Sequence, residues 1–461
     1  MHYEKFRDGT VKCIEDEIPF EVPEGWTWCR LGNISGAIQY GLSNSSELKG
    51  TYRLLRITDI QDGKVDWGTV PFTTTENPNT YILEKGDIVF ARTGSTVGKS
   101  FLIKETPYPS VFASYLIRIR LLGNLFVEYI YQFFNSSCYW TQITDKSVGV
   151  GQPNCNGTSL KKLFIPLPPI NEQIQIVTVV TKLLNHVEEI DNNKKNLLLF
   201  IEKAKSKIID LAIRGKLVPQ DPNDESASML LESIRAEEEE FIKQGKLKRD
   251  KKKSVIFKGE DNSYYEKTDD TVRCIDEEIP FEIPESWTWT RIRNIALVRG
   301  GKRLPKGANF CNKITTHAYI RVTDMKNCTI NTAELKYISD EVFAQIKSYT
   351  ISSKDLYITI AGTIGIVGEV PKELDGMNLT ENAVKVCNIT ISKKYLCYIL
   401  VSDFVQKQFQ DKTHQVAMPK LAIEQILTTL IPIPPLSEQE RIAKQLNTTV
   451  TWTDNISIIL S

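Results

Sequence analysis

The sequence has no C-x-x-C pair, only four histidines, and no apolar run near the ~20 residues that a bilayer crossing needs. Its nine cysteines are scattered and odd in number, so neither a disulfide framework nor a zinc cage is indicated. His2, His186, His317 and His414 stand in unrelated contexts and offer no acid–base dyad. The opening residues, Met1-His2-Tyr3-Glu4-Lys5, are polar and unlike a signal peptide, so a cytoplasmic protein without membrane contact is expected. An excess of charge is also missing. Lys plus Arg and Asp plus Glu stand at 57 each, which removes the basic surplus of a general nucleic-acid binder.

What is present is a folded chain of 461 residues, 41% hydrophobic and 25% charged, long enough for two to four domains. It is also written twice. Residues 10–34 read TVKCIEDEIPFEVPEGWTWCRLGNI, and residues 271–295 read TVRCIDEEIPFEIPESWTWTRIRNI, identical at 17 of 25 positions. Farther on, Arg56-Ile57-Thr58-Asp59 answers to Arg321-Val322-Thr323-Asp324. Each copy closes alike, on Ile165-Pro166-Leu167-Pro168-Pro169 with Glu172-Gln173, and on Ile431-Pro432-Ile433-Pro434-Pro435 with Glu438-Gln439.

Within a copy, short β-branched and aromatic runs broken by Gly, Pro, Asn and Asp predict strands, as at residues 87–91 and 115–121. Helical stretches follow at 126–140 and 394–409. After the double prolines the period changes, and Asn171 or Ser437 can cap a new helix. Ile176, Val180, Leu183, Val187, Ile190, Lys194, Leu197, Ile201, Ala204, Ile208 and Leu211 then alternate spacings of four and three, a coiled-coil seam with one polar interruption. Ile442, Leu446, Thr449, Thr453, Ile456 and Leu460 repeat that spacing, and the two helices are expected to pack on each other. At ~1.5 Å per residue the first would span on the order of 50 Å. Only 26 residues follow Pro435, so the second is shorter.

The expected class is therefore α+β: two repeated α/β domains, 1–165 and 271–430, separated by long coiled-coil-forming helices. The first helical spacer is 166–215, a charged linker with a short helix is 216–270, and the second, short helix is 431–461.

One motif imitates chemistry. Residues 93–100, TGSTVGKS, nearly spell a phosphate-binding loop, but Thr93 replaces the first glycine and Phe101-Leu102-Ile103 reads as a strand. The second copy has no Lys-Ser there. Gly149-Val150-Gly151 follows a polar stretch and reads as a surface loop. No N-P-P-Y or D-P-P-Y sequence, helicase box or nuclease cluster is present.

Two globules, each ending in I-P-x-P-P, then x-E-Q and a long helix, resemble the specificity subunit of type I restriction-modification enzymes. Residues 16–28 and 216–222 (KLVPQDP) also look like segments of that family. The resemblance implies two target-recognition domains, each reading half of an interrupted site in double-stranded DNA. It implies helices that dock two methyltransferase subunits and, through them, two restriction (motor-nuclease) subunits. The chain itself would be non-catalytic and bind no cofactor. S-adenosylmethionine, ATP and Mg2+ would serve the partners, which methylate an adenine in each half. A balanced charge fits such a division if partners share the phosphate contacts. The alternative is a scaffold or DNA mimic that binds the same partners.

Segments that agree between copies should build the frame, and polar segments that differ should carry what differs. Arg and Lys suit guanine edges, and Asn and Gln suit adenine edges. The DNA-binding candidates are Gln39, Tyr40, Arg92, Thr93, Ser95, Lys99, Gln152 and Asn154 in the first copy. In the second they are Lys302, Arg303, Lys306, Thr363, Asn378, Asn382, Gln415 and Lys420. Arg56 and Arg321, at matched positions, join them with a frame ion pair or phosphate clamp as the expected role.

Overall fold

In each repeat the tryptophan box and the proline box are partners. The computed structural model describes the chain except residues 62, 124, 147–154, 247, 270, 412–419 and 461, and except the side chains of 95, 145 and 146. The opening strand Thr27–Arg30 pairs antiparallel with the closing strand Phe164–Leu167, Trp28 opposite Pro166. Thr288–Arg291 pairs with Leu430–Ile433 in the same way, Trp289 opposite Pro432. Each pair is a two-stranded sheet, so the proline N–H that is missing from the closing strand interrupts no longer ladder. The described residues between them form one insert per repeat.

Each insert holds a four-stranded antiparallel sheet with matching order. In the first repeat it runs Ser100–Leu102, Ile88–Ala91, Leu116–Ile119, Gln39–Tyr40. In the second it runs Val367–Glu369, Leu356–Thr359, Ala383–Cys387, Leu297–Gly300. A second sheet in each insert contains one parallel pair, Tyr52–Leu55 with Ser110–Phe112 and Ala318–Ile320 with Met377–Leu379. The helical stretches are each broken in two, Val127–Phe133 and Ser137–Lys146, then Lys393–Val401 and Asp403–Asp411. Ser136 and Ser402 sit at the breaks, and each hydroxyl donates back to a carbonyl three residues earlier. These helices bury Ile130, Phe134 and Tyr139 on Ile88, Phe90 and Ile117, and Leu396, Leu400 and Phe409 on Leu356, Ile358 and Val384.

The spacer helix is Ile170–Ile213 and the terminal helix is Leu436–Leu460. Neither is capped by the expected residue. The carbonyls of Pro169 and Pro435 receive the first intrahelical N–H groups, which places Asn171 and Ser437 inside the first turn. The spacer helix stops at Gly215, whose φ of +66° permits the Lys216 N–H to reach back to the Leu211 carbonyl at 2.9 Å. A side chain at that position would also collide with Pro284.

Two units divide the chain, Met1–Asp191 and Asn192–Ser461. In the second, the expected contact between the helices is present as a Lys205–Asp454 ion pair at 2.6 Å. The apolar seam is not continuous, however. Leu183, Val187, Ile190 and Leu197 are exposed, and burial resumes at Ile201, Ile209, Ala212 and Ile213. Ile209, Ala212 and Ile213 join a core that holds residues of the second repeat's frame and of the terminal helix, so the buried stripe shifts off the four-three register.

The segment 216–270 is more than a linker. It contains the helix Ala227–Lys243 and the strands Val255–Lys258 and Tyr264–Lys267, which join Val272–Cys274 in a three-stranded sheet. No helix among the described residues is long and apolar enough to cross a membrane.

Candidate nucleic-acid interface

The frame that presents the candidate loops is braced by the same bonds in both copies. Trp26 and Trp287 donate from their indoles to Glu172 and Glu438 at 3.1 and 2.9 Å. Gln173 and Gln439 donate to Pro168 and Pro434 carbonyls and accept from the backbone N–H groups of Phe126 and Ser392, which cap the helices Val127–Phe133 and Lys393–Val401. Tyr129 and Tyr395 hydroxyls donate to the carbonyls of Pro166 and Pro432. Arg30 binds Glu4 and Glu17, and Arg291 binds Glu266 and Glu278. Residues that repeat in sequence are thus consumed by structure.

At one end of each four-stranded sheet, described residues in or beside the divergent segments meet. In the first repeat, the Arg92 guanidinium lies 4.9 Å over the Tyr40 ring, the Gly157 N–H donates to the Tyr40 hydroxyl at 2.9 Å, and the Cys155 N–H donates to the Arg92 carbonyl. In the second, the Leu421 N–H donates to the Ile360 carbonyl, and the Lys302 N–H to the Leu379 carbonyl. Gly41 and Gly301 hold these junctions: a Cβ at either would strike the backbone carbonyls of residues 112–113 or 379–380.

The polar groups are unevenly available. Lys99, Lys302, Arg303, Lys306, Thr363 and Lys420 are exposed. Arg303 forms an ion pair with Glu381 at 2.6 Å, which raises the guanidinium pKa further, and Tyr319 donates to the Lys302 carbonyl behind it. Burial pushes the Tyr319 phenol up to about 12, so it remains a donor. Gln39 is half-buried and donates to the Tyr40 carbonyl. Thr93 and Asn382 are half-buried, and the Asn382 carbonyl receives the N–H groups of Ile360 and Ala361. Ser95 lies in the 3-10 turn Gly94–Thr96. Gln152, Asn154 and Gln415 lie outside the described residues.

One candidate is corrected. Asn378 belongs to the buried strand Met377–Leu379, is fully buried, and donates to the Ile346 carbonyl at 2.8 Å, so it presents nothing to a ligand. Arg56 and Arg321 each bind the aspartate three residues on, Asp59 and Asp324, at 2.7 and 2.6 Å, and close a 3-10 turn. Of the two roles expected for them, the frame ion pair is the one the structure contains. Sequence reasoning missed Tyr115 and Glu381. Tyr115 is 63% exposed, and its carbonyl receives the Arg92 N–H. Glu381 pairs with a candidate cation, and an acidic side chain beside a basic loop could have flagged it, since carboxylates accept from cytosine amino groups.

The phosphate-loop imitation is resolved by geometry. Its turn leads into the strand Ser100–Leu102, with no helix N-terminus to hold an anion. Among the described residues, one group of metal-capable side chains converges, His2, Glu15 and Glu21, and none of the three is a candidate DNA contact.

A model of the type I restriction modification DNA specificity domain matches residues 23–199 and again 284–457. The chain belongs to this family. Each match begins within the entry segment of one repeat and ends within the helix that follows it. Among curated relatives, the type I restriction enzyme EcoAI specificity subunit of Escherichia coli is 24% identical over 97% of this chain and 81% of its own length. The EcoKI specificity subunit of Escherichia coli K12 is 30% identical over 43% of this chain and 47% of its own. In fold, this specificity-family chain resembles the HsdS subunit of Thermoanaerobacter tengcongensis, with a TM-score of 0.51, 14% identity, and coverage of 96% and 94%. It also resembles a chain from work on complex assembly and conformational transition of the type I R-M system, with a TM-score of 0.62, 15% identity and the same coverage. As a specificity-family protein it is a non-catalytic DNA-recognition subunit.

Proposed function

We propose that this chain reads an interrupted, asymmetric DNA site, one half with each repeat, and positions two methyltransferase subunits and two restriction subunits on it. The observation that carries the reading is the contrast within each repeat: matched bonds brace the frame, while unlike polar loops meet at one end of the sheet. Lys302, Arg303 and Lys420, on exposure and charge, and the half-buried Arg92, on charge and its place at the sheet end, are the leading base-edge or phosphate contacts. Methyl transfer from S-adenosylmethionine, and ATP- and Mg2+-dependent work, belong to the partners, which must extrude the target adenine to reach it.

The test is methylome mapping of a host carrying the chain, and then a variant in which residues 36–165 come from another specificity subunit. One half-site should change and the other persist. A simultaneous change of both would defeat the assignment of one half-site per repeat.

A further inference from the structure

The two repeats build the same four-stranded sheet but balance its charges differently. In the first repeat, Arg118 stands directly opposite Gln39, and the neighbouring Asp87 carboxylate is bound by Arg120 at 2.7 Å, with Glu84 3.2 Å from the same guanidinium. In the second, Lys385 takes the place of Arg118 and stands directly opposite Arg299, on the same face of the sheet. Like charges that face each other across a strand pair are destabilising. Cys387 and Ser352 replace Arg120 and Glu84 there, so a cation and a carboxylate leave the sheet while Arg299 enters it.

Nearby carboxylates do not absorb the surplus. Asp355 lies 4.0 Å from the Lys385 ammonium and accepts from the backbone N–H and hydroxyl of Ser352, while Lys385 donates to the Thr350 carbonyl at 2.6 Å. Asp375, the other carboxylate near Lys354, accepts from the backbone N–H and hydroxyl of Ser353. Arg299 and Lys354 are exposed, and among the described residues neither forms an ion pair. With Lys385, Asp355, Ser352 and Asn388 they line a pocket of about 440 Å3, walled by both sheets of the insert. It lies apart from the candidate DNA loops. Those leave the strand ends at Thr359 and Gly300, whereas the pocket is built on Asp355 and Cys387, at the other end of the sheet.

We infer that this pocket is a separate anion site, which takes the phosphate groups of a small diffusible polyphosphate: pyrophosphate itself or the phosphate tail of a nucleotide. Three cations against one carboxylate call for more than a single negative charge. The planar fork of Arg299 and the two ammonium groups suit the oxygens of phosphate, which accept strong charge-assisted hydrogen bonds. Such a ligand offsets the repulsion between Arg299 and Lys385, so its binding also stabilises the second insert.

The test is calorimetric titration of the full chain with pyrophosphate at physiological salt, with ATP and a short DNA duplex as further arms. Saturable one-to-one binding of pyrophosphate is expected, with a melting temperature that rises with its concentration and amide exchange slowed across residues 350–355 and 385–389. Arg299→Gln, which installs the residue of the first repeat, and Lys354→Ala, at an exposed position, should each weaken binding at least 10-fold with circular dichroism unchanged. Binding of pyrophosphate without ATP identifies the free anion as ligand, and binding of both identifies the nucleotide tail. Three results would overturn the inference: no saturation with either anion; saturation that neither substitution weakens, meaning an adventitious ion only; or a duplex that displaces pyrophosphate and protects the same residues, meaning that the pocket is part of the DNA surface. A failure of the DNA-reading assignment would show in the methylation map and leave the pyrophosphate isotherm as it is.

Discussion

The indole of Trp287 donates to the Glu438 carboxylate at 2.9 Å, and Glu438 is fully buried at the start of the terminal helix. Burial raises the carboxyl pKa, against the pull of its donors Trp287 and Gln220. This bond ties the opening strand to the helix that follows the closing strand, so its removal should loosen the joint of the whole repeat. Trp287→Phe leaves an acceptor short of a donor and should cost about 1–3 kcal/mol. Trp26→Phe, where both partners are half-buried, should cost less. Urea midpoints of the two variants will check the order.

The acid response should trace to Glu266. Burial raises its pKa, but hydrogen bonds from Arg291 and Ser254 more than offset this and hold it at about 2, against 4.5 in the unfolded chain. A carboxyl depressed in the fold contributes stability that is present above pH 4.5 and is lost as the pH falls toward 2. Glu266→Gln should therefore lower the melting temperature at pH 7 and flatten its decline between pH 4.5 and 2. Parallel melting curves across that range are the measurement, and an unchanged slope would speak against the assignment.

Asn378 and Arg303 should separate stability from binding. Asn378→Ala removes a fully buried donor to the Ile346 carbonyl and should destabilise by about 1–3 kcal/mol without changing the DNA site. Arg303→Ala, at an exposed ion pair, should leave the melting temperature nearly unchanged. If the arginine reads a base, affinity should fall by roughly 5- to 150-fold and discrimination at one position should relax. Paired melting and salt-dependent DNA titrations distinguish the two.

Gly301→Ala should damage both properties together. The added Cβ meets backbone oxygens of Leu379 and Thr380, which cannot swing aside as a side chain would. We expect lower stability and loss of the half-site read by the second repeat, with the first half-site retained in a methylation map.

The sequence made the frame legible because repetition is visible without knowing any contact. The Trp26 and Trp287 boxes and the double-proline segments were identifiable as structure, although their direct strand pairing was not, since it joins residues about 140 apart. The long helix followed from its period. Its exposed middle did not, because a four-three spacing describes a stripe and says nothing of where a partner ends. In the candidate interface, exposure separated Arg303 and Lys420 from Asn378. Divergence between copies cannot make that distinction, because the core strand Met377–Leu379 differs from its counterpart Ser110–Phe112 as freely as a loop does. Arg56 and Arg321 were the reverse case: their matched positions beside Thr-Asp already pointed to the ion pairs found.

The antiparallel joining of opening and closing strands gives each insert neighbouring points of departure and return. A replacement cassette of different length or taste would meet the rest of the molecule at those same two hinges. Change in what is read can therefore be inherited in one step, with no renegotiation of how the remainder folds.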